Sequence, residues 1–87
     1  RPNPELKIGT MNISPMFPER LNSAEGYYNV AEGKVESKWV RNGNEIILSV
    51  TAPNGLKGNI TVPYGYRFEN GNTVLKLESG DYKIVKI

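Results

Sequence analysis

The chain has 87 residues and a mass of 9.7 kDa, room for one hydrophobic core and not for two. Eleven Lys and Arg against nine Asp and Glu leave a net charge of +2, with 38% hydrophobic and 23% charged residues, a composition that argues against a disordered tail. The absence of His and Cys removes the Ser/His/Asp triad, the Cys/His pair, thiolate metal sites, the imidazole proton shuttle and disulfides.

The pI of about 9.0 rests on a surplus of only two charges. No Lys or Arg follows another, so nothing forms a nucleic-acid stripe or a polybasic membrane segment, and no apolar run approaches the roughly 20 residues that span a bilayer. Arg1-Pro2-Asn3-Pro4, without an initiator Met, reads as the start of a piece cut or processed from a longer protein. No signal peptide is visible in it. The lack of Cys does not decide the compartment.

In chain order, Arg1 to Glu5 reads as a linker or extended lead-in. Leu6 to Ile13 and Leu21 to Val30 are weak strands. The first firm element is a hairpin, Lys34 to Arg41 against Asn44 to Ala52 around Asn42-Gly43, since Asn-Gly accepts the positive φ values of a type I′ loop. That loop predicts Trp39 opposite Ile46, Ser37 opposite Leu48 and Val35 opposite Val50 on one face. Val40 with Glu45, Lys38 with Ile47 and Glu36 with Ser49 form a half-wet face on the other side. Pro53-Asn54-Gly55 ends the second strand. Leu56, Ile60 and Val62 then alternate inward with Lys57, Asn59 and Thr61 outward, up to Pro63.

A second Asn-Gly, Asn70-Gly71, predicts a hairpin pairing Phe68 with Thr73, Tyr66 with Leu75 and Tyr64 with Leu77. A third turn at Ser79-Gly80 would pair Leu77 with Tyr82 and Leu75 with Ile84, although it sets Lys76 against Lys83 and Glu78 against Asp81. Nine Gly and six Pro leave no window long enough for a defended helix. The expectation is an all-β protein, an antiparallel β-sandwich of about eight short strands forming one domain over residues 1–87.

Chemistry-bearing residues are few. A pair of carboxylates could cleave glycosides, and nine acids are available: Glu5, Glu19, Glu25, Glu32, Glu36, Glu45, Glu69, Glu78 and Asp81. Those that the strand reading places fall in turns or on outward faces, without the desolvation such an acid needs. The single Asp leaves no clustered calcium ligands, and no phosphate-binding or dinucleotide loop occurs. The expectation is therefore no catalytic, metal or cofactor residue in this chain.

Of the aromatics, Trp39, Tyr64, Tyr66, Phe68 and Tyr82 fall on inward faces. Tyr27 and Tyr28 are neighbours in a strand, so one must face out, and that one is the candidate for stacking on a sugar. Asn12-Ile13-Ser14 and Asn59-Ile60-Thr61 match the glycosylation acceptor, a match common by chance.

The order of the motifs carries one step more. Ile13-Ser14-Pro15, Leu21-Asn22-Ser23-Ala24, Gly33-Lys34-Val35-Glu36-Ser37-Lys38-Trp39, Ile47 to Pro53, Ile60-Thr61-Val62-Pro63, Glu69-Asn70-Gly71 and Glu78-Ser79-Gly80-Asp81-Tyr82 follow one another over Leu6 to Ile87. In this order the chain resembles the C-terminal β-sandwich domain of bacterial α-L-rhamnosidases (glycoside hydrolase family 78). Met16-Phe17-Pro18-Glu19-Arg20 does not match that pattern.

The resemblance implies a domain cut from a larger enzyme whose upstream α/α barrel hydrolyses terminal α-L-rhamnose with inversion. The sandwich would brace that barrel, and no catalytic position falls on this chain. The implied partners are the barrel and, for the parent, a rhamnosylated glycan, in a bacterial and cytoplasmic rather than secreted setting. The alternatives are a carbohydrate-binding module or an immunoglobulin-like or fibronectin-like spacer. An accessory domain should carry a bare apolar patch, whereas a binding module should carry two or more coplanar exposed aromatics.

Overall fold

A computed structural model describes residues 10–87. The predicted lead-in Arg1 to Glu5, the Leu6 to Gly9 part of the first predicted strand, and Glu5 among the acids lie outside the described residues. The rest contains strands and turns only: β1 (Thr10–Ile13), β2 (Ser23–Val30), β3 (Gly33–Asn42), β4 (Glu45–Thr51), β5 (Lys57–Thr61), β6 (Tyr66–Phe68), β7 (Val74–Lys76) and β8 (Gly80–Lys86). They form a three-stranded sheet, β1-β5-β7, and a five-stranded sheet, β2-β3-β4-β8-β6. The β-sandwich of eight short strands expected from the alternation is what folds.

Period-two alternation fills the space between the sheets. Val35 and Trp39 of β3, Ile46, Leu48 and Val50 of β4, Ile84 of β8, and Tyr66 and Phe68 of β6 are buried. Opposite them lie Ile13 of β1, Ile60 of β5, and Leu56, Val62 and Leu77. The inward set Leu56, Ile60 and Val62 is as the alternation predicts.

One contact departs from the antiparallel expectation: β1 and β5 run parallel, with Met11 beside Gly58 and Ile13 beside Ile60. A Cβ at Gly58 would lie 1.8 Å from the Met11 carbonyl oxygen. Only glycine lets the two backbones approach this closely.

The first hairpin forms, but its register differs from the predicted one. Asn42 pairs with Glu45, so Gly43-Asn44 is the loop. Trp39 lies opposite Leu48 rather than Ile46, Ser37 opposite Val50 rather than Leu48, and Arg41 opposite Ile46. Likewise Val40 faces Ile47, Lys38 faces Ser49 and Glu36 faces Thr51. The cause is local: Gly43 takes φ +66° while neither asparagine leaves negative φ, the pattern of a turn with glycine at its first central position. The slip is two residues, so every side chain keeps its predicted face and the core is unchanged.

The second and third predicted hairpins do not form. Asn70-Gly71 does reverse the chain: the Gly71 N–H reaches the Phe68 carbonyl at 2.8 Å and the Phe68 N–H reaches the Asn72 carbonyl at 2.8 Å. Beyond the turn, however, the chain changes sheets. β6 pairs with β8, setting Phe68 against Ile84 and Tyr66 against Lys86, while β7 pairs with β5, setting Leu75 against Ile60. Ser79-Gly80 joins β7 to β8 across the sandwich instead of folding one onto the other, and β8 pairs with β4 through Leu48–Tyr82 and Ile46–Ile84. The predicted third hairpin would have opposed like charges; the crossing avoids this. The Ser79 hydroxyl holds the crossing, accepting from the Ala52 N–H at 2.8 Å and donating to the Ala52 carbonyl at 3.1 Å.

Candidate functional site: exposed surfaces of the sandwich

The segment around Met16 to Arg20 is a strap linking the two sheets between β1 and β2. Phe17 is buried, edge-on to Trp39 and to Tyr66 with ring centroids 5.1 Å apart in both pairs. Arg41, on the inward side of β3 by its pairing with Ile46, ties the strap down. Its Nη2 donates to the carbonyls of Phe17 (2.7 Å) and Pro18 (3.0 Å), its Nε to that of Leu21 (3.2 Å), and its Nη1 to the Tyr66 hydroxyl (3.2 Å). Glu19 and Lys86 close the strap with a direct ion pair. The Lys86 hydrogen bond and charge hold the Glu19 carboxyl below the usual carboxylate range, and the same pair raises Lys86. This is the reverse of the raised carboxyl that proton donation to a glycoside needs.

The other acids that the sequence offered are dispersed. Glu45 and Glu69 share Lys83 at 3.7 and 3.6 Å. Glu25, Glu32, Glu36, Glu78 and Asp81 are exposed. Among the described residues, no group of three or more acidic side chains gathers as metal ligands would. Asn12 and Asn59, the two glycosylation-type asparagines, are register partners on β1 and β5. The Thr61 hydroxyl donates to Asn12 Oδ1 at 3.0 Å, and Asn12 Nδ2 donates to Ser14 at 3.0 Å.

The aromatics divide between core and surface, with one correction. Trp39, Tyr66 and Phe68 are buried, and Tyr82 is half-buried, edge-on to Phe68 at 5.9 Å. Burial raises the Tyr82 phenol, helped by the nearby Glu78 charge. Tyr64, predicted inward, is fully exposed. It precedes Gly65 (φ +91°) in a turn closed by the Tyr66 N–H and the Pro63 carbonyl at 3.2 Å, and strand alternation does not carry through such a turn. The Pro-Tyr-Gly string was the signal available in the sequence. Tyr64 and Ile87, which is 75% exposed, flank an apolar cleft of about 550 Å³ with Pro63 and Thr73.

Tyr27 and Tyr28 are both exposed, at 63% and 49%. They point to opposite faces of β2, because Tyr27 pairs with Glu36 and Tyr28 with the buried Val35. The Lys34 ammonium caps the Tyr27 ring at 4.4 Å from its centroid. Tyr28 borders a shallow cleft of about 180 Å³ over the inner side of β2, with Met16, Ala24, Gly26 and Trp39.

These features define a small all-β module in which, among the described residues, no buried side-chain polar atom lacks a hydrogen-bond partner. It belongs to the bacterial alpha-L-rhamnosidase C-terminal domain family, whose model matches residues 9–75, most of the chain. The chain has no significant match among curated proteins or among solved structures.

Proposed function

We propose that this domain is a non-catalytic accessory part of an α-L-rhamnosidase and braces the catalytic barrel of the same polypeptide. Family membership supports an α-L-rhamnosidase parent. The observation that carries the bracing role is the apolar cleft between Tyr64 and Ile87, where a fully exposed ring and an exposed isoleucine flank one concave surface. A tyrosine held out on a tight turn is well placed to fill a partner's pocket.

The test is made in the parent enzyme. Tyr64→Ala with Ile87→Ser should shorten the half-life of rhamnosidase activity at raised temperature and leave kcat on a small rhamnoside unchanged. Unchanged heat tolerance in that variant refutes the bracing role.

A carbohydrate-binding role rests on Tyr27 beside an outer groove of about 510 Å³ that also carries Glu25, Glu36, Lys38 and Ser49. Against it, the Tyr27 ring is already capped and Tyr28 points to the other face. Titration of the domain with rhamnose, followed by amide shifts, separates the readings. Saturable shifts at Tyr27 below about 10 mM, an affinity near 3 kcal/mol, favour binding. A flat response favours bracing.

A further inference from the structure

Two of the outer strands of the five-stranded sheet could hardly differ more. β6 is three residues long, and two of the three are buried. β2 is eight residues long, pairs only with β3 among the described residues, and is exposed along seven of them. Its pairing runs without a bulge from Ser23–Val40 to Val30–Gly33. Natural edge strands are usually guarded by Lys, Pro, a bulge or brevity. Ser23–Val30 has none of these, and its one charge is Glu25.

The direction of the free backbone groups follows from one bond. The Arg41 N–H reaches the Asn22 carbonyl at 2.7 Å, which makes Asn22–Arg41 a hydrogen-bonded pair. By antiparallel alternation, Ala24, Gly26, Tyr28 and Val30 spend their backbone groups on β3, and Ser23, Glu25, Tyr27 and Asn29 direct theirs outward. The inner side of the same strand has a notch. A Cβ placed on Gly26 meets nothing within 4 Å, and Gly26 lies between Ala24 and Tyr28 on the side of the cleft below Met16.

We propose that β2 is a self-association edge that pairs antiparallel with β2 of a second copy about a two-fold axis at Tyr27, joining two five-stranded sheets into one. In this register Tyr27 meets its own copy and Tyr28 lies opposite the partner's Gly26, filling each notch with a ring. Glu25 faces the partner's Asn29. The only charge on each strand then lies four residues from its copy, on the order of 13 Å along the ladder, where salt screens it. A second copy is favoured over an unrelated strand because one pairing satisfies both unguarded edges and both empty glycine positions. The edge is small against the roughly 1,200–2,000 Å² of stable interfaces, so the dimer is weak, with Kd of about 10–500 µM. This edge is separate from the Tyr64 surface and stands or falls independently of the bracing role.

Sedimentation of the 87-residue chain from about 10 µM to 1 mM tests it, with amide exchange read at both ends of the range. The expected result is a monomer–dimer equilibrium in which the Glu25, Tyr27 and Asn29 amides gain protection as concentration rises. Tyr27→Pro removes an outward N–H that β3 does not use, and Tyr28→Lys puts a charge on the exposed inner side; both should be monomeric. If Tyr27→Pro fails to fold, Tyr28→Lys carries the test alone. Asn29→Lys, set against the partner's Glu25, should tighten the dimer about three- to tenfold at low salt and lose that gain at high salt. A wild-type chain that stays monomeric to 1 mM overturns the proposal. So does concentration-independent protection of the three outward amides, because a segment of the same chain would then hold the edge. A dimer unaffected by Tyr28→Lys and Asn29→Lys also overturns it.

Discussion

β2 and β3 are neighbours, paired residue for residue over eight positions, yet they live in different environments. β3 buries Val35 and Trp39 and sends Arg41 across to the strap, whereas β2 buries nothing fully. Hydrogen bonding continues from one strand to the next, but the cover does not, because a sheet of five strands lies under one of three. Ladder pairing and burial are therefore separable contributions, and matched substitutions at one cross-strand level can separate them.

The largest difference is expected at the level of Ala24 and Trp39. Trp39→Ala should cost about 3–5 kcal/mol, because it empties the space between Phe17 and the β4 side chains. Ala24→Ser, directly across the ladder, should stay within about 0.5 kcal/mol. Urea melts of both variants check this, and the blue-shifted emission expected of the single, 4%-exposed Trp39 reports the wild-type packing. Four residues along the ladder, Val35→Ala should cost about 2 kcal/mol against less than about 0.5 for its partner Tyr28→Ala. Equal losses for Val35 and Tyr28 would mean that the inner side of β2 is covered in solution.

What the sequence made legible follows the same division. Alternation identified the buried faces of β3, β4 and β5, because side-chain direction depends only on parity and survives a two-residue slip. It could not choose partners. Asn42-Gly43 and Asn70-Gly71 are the same dipeptide, yet one closes a hairpin and the other delivers the chain to the opposite sheet. The turn dictates a reversal, and the choice of sheet belongs to Ile60 and Ile84, which need Leu75 and Phe68 as neighbours. Nor could alternation reach the surfaces of interest. Tyr64 sits in a turn, where parity has no meaning, and Tyr28 has inward parity on a strand whose inner side the described residues leave half-exposed. Arg41 left a readable mark: a charge in the inward series Val35, Ser37, Trp39 must find acceptors, and it finds the carbonyls of the strap.

That strap is held partly by packing and partly by polar contacts, and Arg41→Met weighs the second against the first. It keeps an unbranched side chain and removes the guanidinium that lies over the Trp39 ring, with four donated hydrogen bonds, three of them to strap carbonyls. Water can reach some of the carbonyls left behind, so a loss of about 1–3 kcal/mol is expected, smaller than for Trp39→Ala. Amide exchange should quicken at Leu21 with little change in β4. If exchange quickens equally in both, the strap and the core unfold as one unit and the division drawn here is wrong.

The smallest effect is the pH dependence of the Glu19–Lys86 clasp, and its sign is fixed by the two shifts. Glu19 is lowered by the Lys86 hydrogen bond and charge, so its contribution is present above the unfolded carboxyl value and is lost as pH falls through the folded one. Lys86 is raised by the same pair, so its contribution is present below the unfolded lysine value and is lost as pH rises through the folded one. Tyr82, raised by burial, adds to the alkaline loss, because ionising it is harder in the fold than in the open chain. The wild type should show a stability plateau with an acid and an alkaline limb. Glu19→Gln should flatten the acid limb and leave the Tyr82 part of the alkaline one, which Tyr82→Phe removes. Both clasp residues are solvent-exposed, so the Glu19→Gln difference should shrink at about 0.5 M salt. An acid limb unchanged by Glu19→Gln would shift the strap's retention onto Phe17 and Arg41 alone.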